Sequence, residues 1–160
     1  MLNCEKGQSL FEAIQKYSSE YCIELRDTYN MSPVNVQQIS ATAATAEFTS
    51  GGKLIVDKLR PTDSDLSDNK HVAMDVNIML SLFWPYKYKI PEYEGWDLAR
   101  IGYNHRELNL NLNRDGICNA SIQLAFLGAC NYFQELPRDP DELQRNRVYQ
   151  KIAEYNKNTI

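Results

Sequence analysis

Leu108, Leu110 and Leu112 alternate with Asn109, Asn111 and Asn113, the two-residue period of a strand with one buried face. Arg114-Asp115-Gly116 follows, and Asp-Gly tolerates the positive φ values of a tight hairpin, so a turn is predicted there. A second strand is predicted from Ala120 to Gly128, with Ile122, Leu124 and Phe126 on one face and Ser121 and Gln123 on the other. Near the N-terminus, Leu10, Ile14, Tyr17, Tyr21 and Leu25 recur at three- and four-residue steps opposite Glu12, Lys16, Glu20 and Glu24. That spacing predicts a helix from Gln8 to Tyr29. Asn30-Met31-Ser32-Pro33 ends it, because the residue before proline is pushed out of the helical region.

Val34 to Ile39 reads as a short strand. From Ser40 to Lys70 the chain is small, polar and turn-rich, which predicts a long loop with at most a short helix near Thr42 to Phe48. A loop of that length in a compact domain is usually functional or mobile. Val76, Ile78, Leu80 and Leu82 fit a third strand, ended by Trp84-Pro85, and the Tyr- and Lys-rich stretch to Gly102 reads as an excursion before the hairpin. After Leu136, Pro137-Arg138-Asp139-Pro140 reads as a linker. Asp139 is the expected cap and Pro140 the first residue of a last helix with a stripe of Val148, Ile152 and Tyr155. A helix followed by a strand implies an α/β sheet that lacks its opening strand, since an amphipathic helix needs a sheet to cover.

Composition narrows the picture. The 160 residues, 43% hydrophobic and 24% charged, suffice for a globular domain with a core. The net charge of −4 means that any nucleic-acid contact is local rather than a property of the whole surface. Cys4, Cys22, Cys118 and Cys130 are too scattered for a CxxC pair or a zinc pattern, and reduced structural thiols are expected. No apolar run reaches membrane-spanning length, no signal-peptide order opens the chain, and a cytoplasmic location is expected. The phosphate-binding pattern G-x-x-x-x-G-K-[ST] is absent, and Gly51-Gly52-Lys53 lacks its first glycine.

Three segments, in order, carry a family resemblance. They are Pro33-Val-Asn-Val-Gln-Gln38; Arg60-Pro-Thr-Asp-Ser-Asp-Leu66 running on to Asp75-Val-Asn-Ile-Met79; and Asn113-Arg-Asp-Gly116 with Leu124-Ala-Phe-Leu-Gly128 and Phe133-Gln-Glu-Leu136. Together they resemble the second half of the RecA-like motor domain of DnaB-type replicative DNA helicases, over residues 8 to 136. The resemblance implies a partial RecA-like three-layer α/β fold over residues 1–136. Its sheet would be mainly parallel and end in an antiparallel β-hairpin, with a linker and C-terminal helix over 137–160.

In that family the motor is a ring with ATP between subunits. The resemblance makes Arg114 the arginine finger that reaches a neighbour's γ-phosphate, and Gln38 the nucleotide- and DNA-sensing glutamine. Ser67, Asn69 and Lys70 fall in the loop that holds single-stranded DNA. On local sequence alone, Arg114 reads as a solvated turn residue, the 67–71 loop as a solvated acidic loop, and Gln38 as a partner for a buried carbonyl. Leu112 stands where the family usually has a second phosphate-contacting lysine. The implied partners are single-stranded DNA and either a homo-oligomeric ring or the missing N-terminal half of the motor. ATP and Mg2+ are expected only in an assembly with that half, and the chain alone is expected to hydrolyse no ATP. The alternative is a non-catalytic interaction module that docks on an intact helicase or another partner.

Overall fold

A computed structural model describes residues 7–37, 59–62 and 70–158. They fall into two compact units. One takes residues up to Met79 together with Asn111–Gly116, and the other takes Leu80–Leu110 and Ile117 onward.

In the first unit, Ser9 starts helix α1 (Leu10–Lys16) with a reciprocal cap. Its Oγ accepts from the Glu12 amide at 3.2 Å, and the Glu12 carboxylate accepts from the Ser9 amide at 2.9 Å. These bonds hold the Glu12 carboxyl below its usual pKa. Tyr17–Cys22 then winds as a π-helix before α2 (Ile23–Asp27). The wider turn rotates the helix face. Ala13, Ser18 and Cys22 are the buried positions and Tyr21 is exposed, so the stripe expected through Tyr17 and Tyr21 is displaced.

The strand expected from Val34 does not form over residues 34–37. Val34 and Val36 are 85% and 93% exposed. Asn35 instead ties this extended segment to the helix, its Nδ2 donating to Cys22 Sγ at 3.4 Å. The helix expected at Thr42 to Phe48 lies outside the described residues. Helix α3 (Lys70–Asp75) occupies the stretch just before the third predicted strand.

The second unit contains most of a four-stranded sheet of order β1 (Ile78–Phe83), β4 (His105–Asn113), β5 (Ala120–Leu127), β6 (Tyr132–Glu135). β4 pairs antiparallel with β5, and β5 with β6. A mainly parallel sheet is therefore not what forms. Parallel neighbours need long crossovers, whereas these strands follow one another through short connections.

The tight hairpin expected at Asp115-Gly116 is also corrected. The pairing Leu110↔Ala120 leaves a wide loop, and its one positive φ falls on Asn119 (58°), whose amide donates to the Leu110 carbonyl at 2.8 Å. The two-residue turn of this chain is Glu94-Gly95 (φ 49° and 75°), between β2 (Glu92–Tyr93) and β3 (Trp96–Asp97). The excursion thus carries the best-buried core. Tyr93, Trp96, Leu98 and Ile101 are all buried, the last two on α4 (Leu98–Ile101).

The buried side chains of β4 are His105 and Glu107 rather than leucines, and Leu108, Leu110 and Leu112 are half-buried. Glu107 accepts from Tyr93 Oη at 2.6 Å, Gln123 Nε2 at 3.0 Å and Asn109 Nδ2 at 3.3 Å. A buried carboxyl group thereby fastens the excursion to the sheet. His105 meets the Tyr93 ring edge-on at 5.9 Å. Neither of its ring nitrogens lies in hydrogen-bonding geometry. Burial pushes its pKa down to about 4; the Gln123 side chain opposes the shift and the charge of Arg106 adds to it.

Helix α5 (Glu142–Asn158) buries Tyr149 and Ile152. It is capped by Asp141 rather than Asp139. The Asp141 Oδ1 accepts from the Gln144 amide at 2.7 Å, while Gln144 Oε1 accepts from the Asp141 amide at 3.1 Å. Asp139 takes a left-handed turn instead (φ 45°).

Both buried ionisable groups of β4 can be tested through stability. Glu107→Ala leaves three donors unmatched in a buried site and lowers unfolding free energy by roughly 3 kcal/mol. Glu107→Gln, which keeps one acceptor, loses about half of that, and urea denaturation measures both. His105 has a folded pKa below its unfolded value, so the unfolded chain takes the proton first as pH falls. Stability is full above about pH 6.5 and declines down to about pH 4, by at most roughly 3 kcal/mol. Thermal midpoints across that window should fall less in His105→Gln than in the wild type.

Candidate functional site

Arg114 follows the last residue of β4 and is exposed, but its guanidinium is engaged. Nε donates to the Val76 carbonyl at 2.9 Å. Nη2 donates to the Met74 carbonyl at 2.7 Å and the Ala73 carbonyl at 3.3 Å. Its backbone amide donates to the Asn77 carbonyl at 3.0 Å. These carbonyls lie at the C-terminal end of α3, where a helix leaves acceptors without intrahelical partners. A cation is also the favourable charge at that end. The turn that aims the arginine is local. Asp115 folds its amide onto Asn113 Oδ1 at 3.2 Å, bending the chain just after it.

A second arginine converges on the same segment. Arg26 Nη1 donates to Asn77 Oδ1 at 3.0 Å and to the Asp75 carbonyl at 3.3 Å. Its Nε pairs with Asp27 Oδ1 at 2.7 Å, which raises the Arg26 pKa and lowers that of Asp27. Both groups are solvent-facing, so this pair contributes orientation more than stability. Asp75 Oδ2 is buried with no hydrogen-bond partner. The hairpin stem is held too, since Asn111 Nδ2 donates to the Pro61 carbonyl at 2.7 Å.

Of the residues nominated from sequence, Gln38, Ser67 and Asn69 lie outside the described residues. Lys70 is the first residue of α3, whose other end carries the Arg114 contacts. At six residues, α3 spans about 9 Å. Leu112 is half-buried on β4 and puts no second cation beside Arg114. Sequence reading missed Arg26 and Glu107. Arg26 carries no local pattern beyond a basic residue in a last helical turn, whereas Glu107 was visible as a lone acid on an apolar strand. Among the described residues no group of His, Cys, Asp and Glu is arranged to hold a metal ion, and no helix is long and apolar enough to cross a membrane.

No family model and no curated protein matches the chain. Among solved structures it is similar to the ATPase domain of a DnaB-like helicase, with a TM-score of 0.64 and 20% sequence identity. The match covers 83% of this chain and 40% of that one. The chain therefore spans about two fifths of that structure and shares its fold over the span.

If the guanidinium fixes the end of α3, Arg114→Ala should speed hydrogen exchange of the Val76 amide, which donates to Val72 across the last turn. An increase of roughly tenfold, about 1.4 kcal/mol of local opening, is expected. Arg114→Lys should fall between, and unchanged exchange would mean that the three contacts add nothing.

Proposed function

We propose that this chain is the arginine-supplying part of an ATP-driven DNA-unwinding motor of the DnaB type. ATP and Mg2+ are held by a phosphate-binding segment that these 160 residues do not contain. Arg114 reaches the γ-phosphate bound there and stabilises the charge that develops in phosphoryl transfer. The observation that carries this reading is the placement of Arg114. An exposed guanidinium at a strand end is aimed by a turn and held only by neutral carbonyls. Phosphate oxygens are the stronger partner, since both groups are charged and a planar fork matches them. The shared fold with part of an ATPase domain supports the same reading.

The contacts to α3 supply a route from nucleotide to DNA. When Arg114 turns to phosphate, the C-terminal end of α3 loses its cation. The other end begins at Lys70, next in sequence to Ser67 and Asn69. Lys70 pairs with a phosphate of single-stranded DNA while Ser67 and Asn69 donate hydrogen bonds to its backbone. Each copy binds weakly, and affinity comes from several loops in a hexameric ring. Gln38 senses the nucleotide. With Leu112 two residues before it, Arg114 performs the trans contact without a companion lysine.

A second reading, a non-catalytic docking module, is favoured by one observation. Ile78, Leu80 and Leu82 of β1 are 58%, 57% and 49% exposed, an apolar strand face that needs a cover. Both readings are separated by one experiment. The chain is mixed with a separately expressed ATPase segment that carries a DnaB-type phosphate-binding loop, and DNA-stimulated ATP hydrolysis is followed. The motor reading expects turnover only in the mixture, reduced on the order of 10^3-fold by Arg114→Ala. Turnover that survives Arg114→Ala at near the wild-type rate rejects the arginine assignment. Binding without turnover in every mixture selects the docking module.

A further inference from the structure

Helix α5 does not close fully onto β5 and β6. An open groove of about 490 Å³ runs between them, floored by Ala125, Leu127, Leu136, Val148 and Ile152. Its border is basic. Arg147 and Lys151 stand one turn apart on α5, about 6 Å along its axis. Arg138 joins them from the 137–141 connection, and Glu135 is the acidic side chain that shares the lining. None of Arg138, Arg147 and Lys151 has a hydrogen bond or ion pair to a described residue. In a chain of net charge −4, three such cations around an apolar floor form a local reversal of sign. Beside the groove, β6 ends the described sheet and is exposed along its length.

We propose that this groove docks an extended acidic peptide segment of a partner protein. The segment adds alongside β6 by strand pairing, places alternate apolar side chains between α5 and the sheet, and sets its carboxylates against Arg138, Arg147 and Lys151. Each observation selects against another occupant. Inorganic phosphate satisfies the cations and leaves the apolar floor in water. A nucleic acid strand has the charge, but the floor is aliphatic and offers no run of aromatic rings for bases to stack on. A segment with alternating acidic and apolar residues matches both features at the strand period. The inference is independent of the motor reading.

The test uses the full chain and a fluorescein-labelled octapeptide that alternates glutamate and leucine, with binding read by fluorescence anisotropy. Saturable binding is expected, weakened at least tenfold by the double variant Arg147→Glu, Lys151→Glu, both exposed positions that leave the core intact. Octapeptides of glutamate alone, or of alternating lysine and leucine, should bind at least tenfold more weakly. A glutamate–leucine peptide N-methylated at every second residue should lose binding in one of the two possible registers. Equal binding of the all-glutamate peptide reduces the site to nonspecific anion attraction and overturns the proposal. So does a double variant that binds as well as the wild type. Self-association of the chain that the double variant abolishes would assign the groove to a second copy instead.

Discussion

One guanidinium decides how the end of α3 is made. Ala73, Met74 and Val76 point carbonyls out of a helix too short to satisfy them, and Arg114 gathers all three. A neutral side chain has neither the donors nor the charge for that place. The contacts are exposed, so their net worth is modest, and that is what makes them exchangeable. A charged phosphate ligand displaces neutral carbonyls, whereas a buried network does not release its members. Arg26 holds the same segment through Asp75 and Asn77. Release of Arg114 therefore loosens the end of α3 without freeing it, the behaviour expected of a two-position element.

The second unit is organised around the opposite kind of interaction. Glu107 is fully buried and takes three side-chain donors from β2, β4 and β5. Removal of any one of these side chains strands the others in a low-dielectric site. Tyr93, Trp96, Leu98 and Ile101 form a core around it. Arg106, on the strand's other face, lies over the Trp84 ring at 4.4 Å and is half-desolvated, which lowers its pKa to about 10 and leaves it charged at neutral pH. Leu110 and Asn111 mark the point at which β4 passes from this unit to the other.

Much of the element order was legible in the sequence. The first helix, the strand ending before Trp84-Pro85, the pair around residues 105–127 and the last helix all lie where periodicity placed them. Three failures have physical causes. A π turn at Tyr17–Cys22 changes the period, which no count at three and four residues detects. Leucine alternation on β4 suggested the core face, but a carboxyl group matched by three donors is buried more deeply than an aliphatic side chain without a cover. Asp-Gly was read as the tight turn while Glu94-Gly95 performs it, because turn chemistry tells which residues tolerate positive φ and not which strands meet. Parallel sheet direction came from the family resemblance and not from the residues. Of the site, only Arg114 could be followed to its contacts, and those lay about forty residues away in sequence, beyond any local pattern.

Whether Arg114 exchanges helix carbonyls for phosphate can be read at a single amide. Hydrogen exchange of the Val76 amide is followed in the chain assembled with its ATP-binding counterpart, without nucleotide and with a non-hydrolysable ATP analogue. Exchange should quicken when the analogue is bound, approaching the rate of Arg114→Ala, and that variant should show no nucleotide response. Exchange at Val76 that stays unchanged while the assembly binds nucleotide and hydrolyses ATP would contradict the exchange of partners.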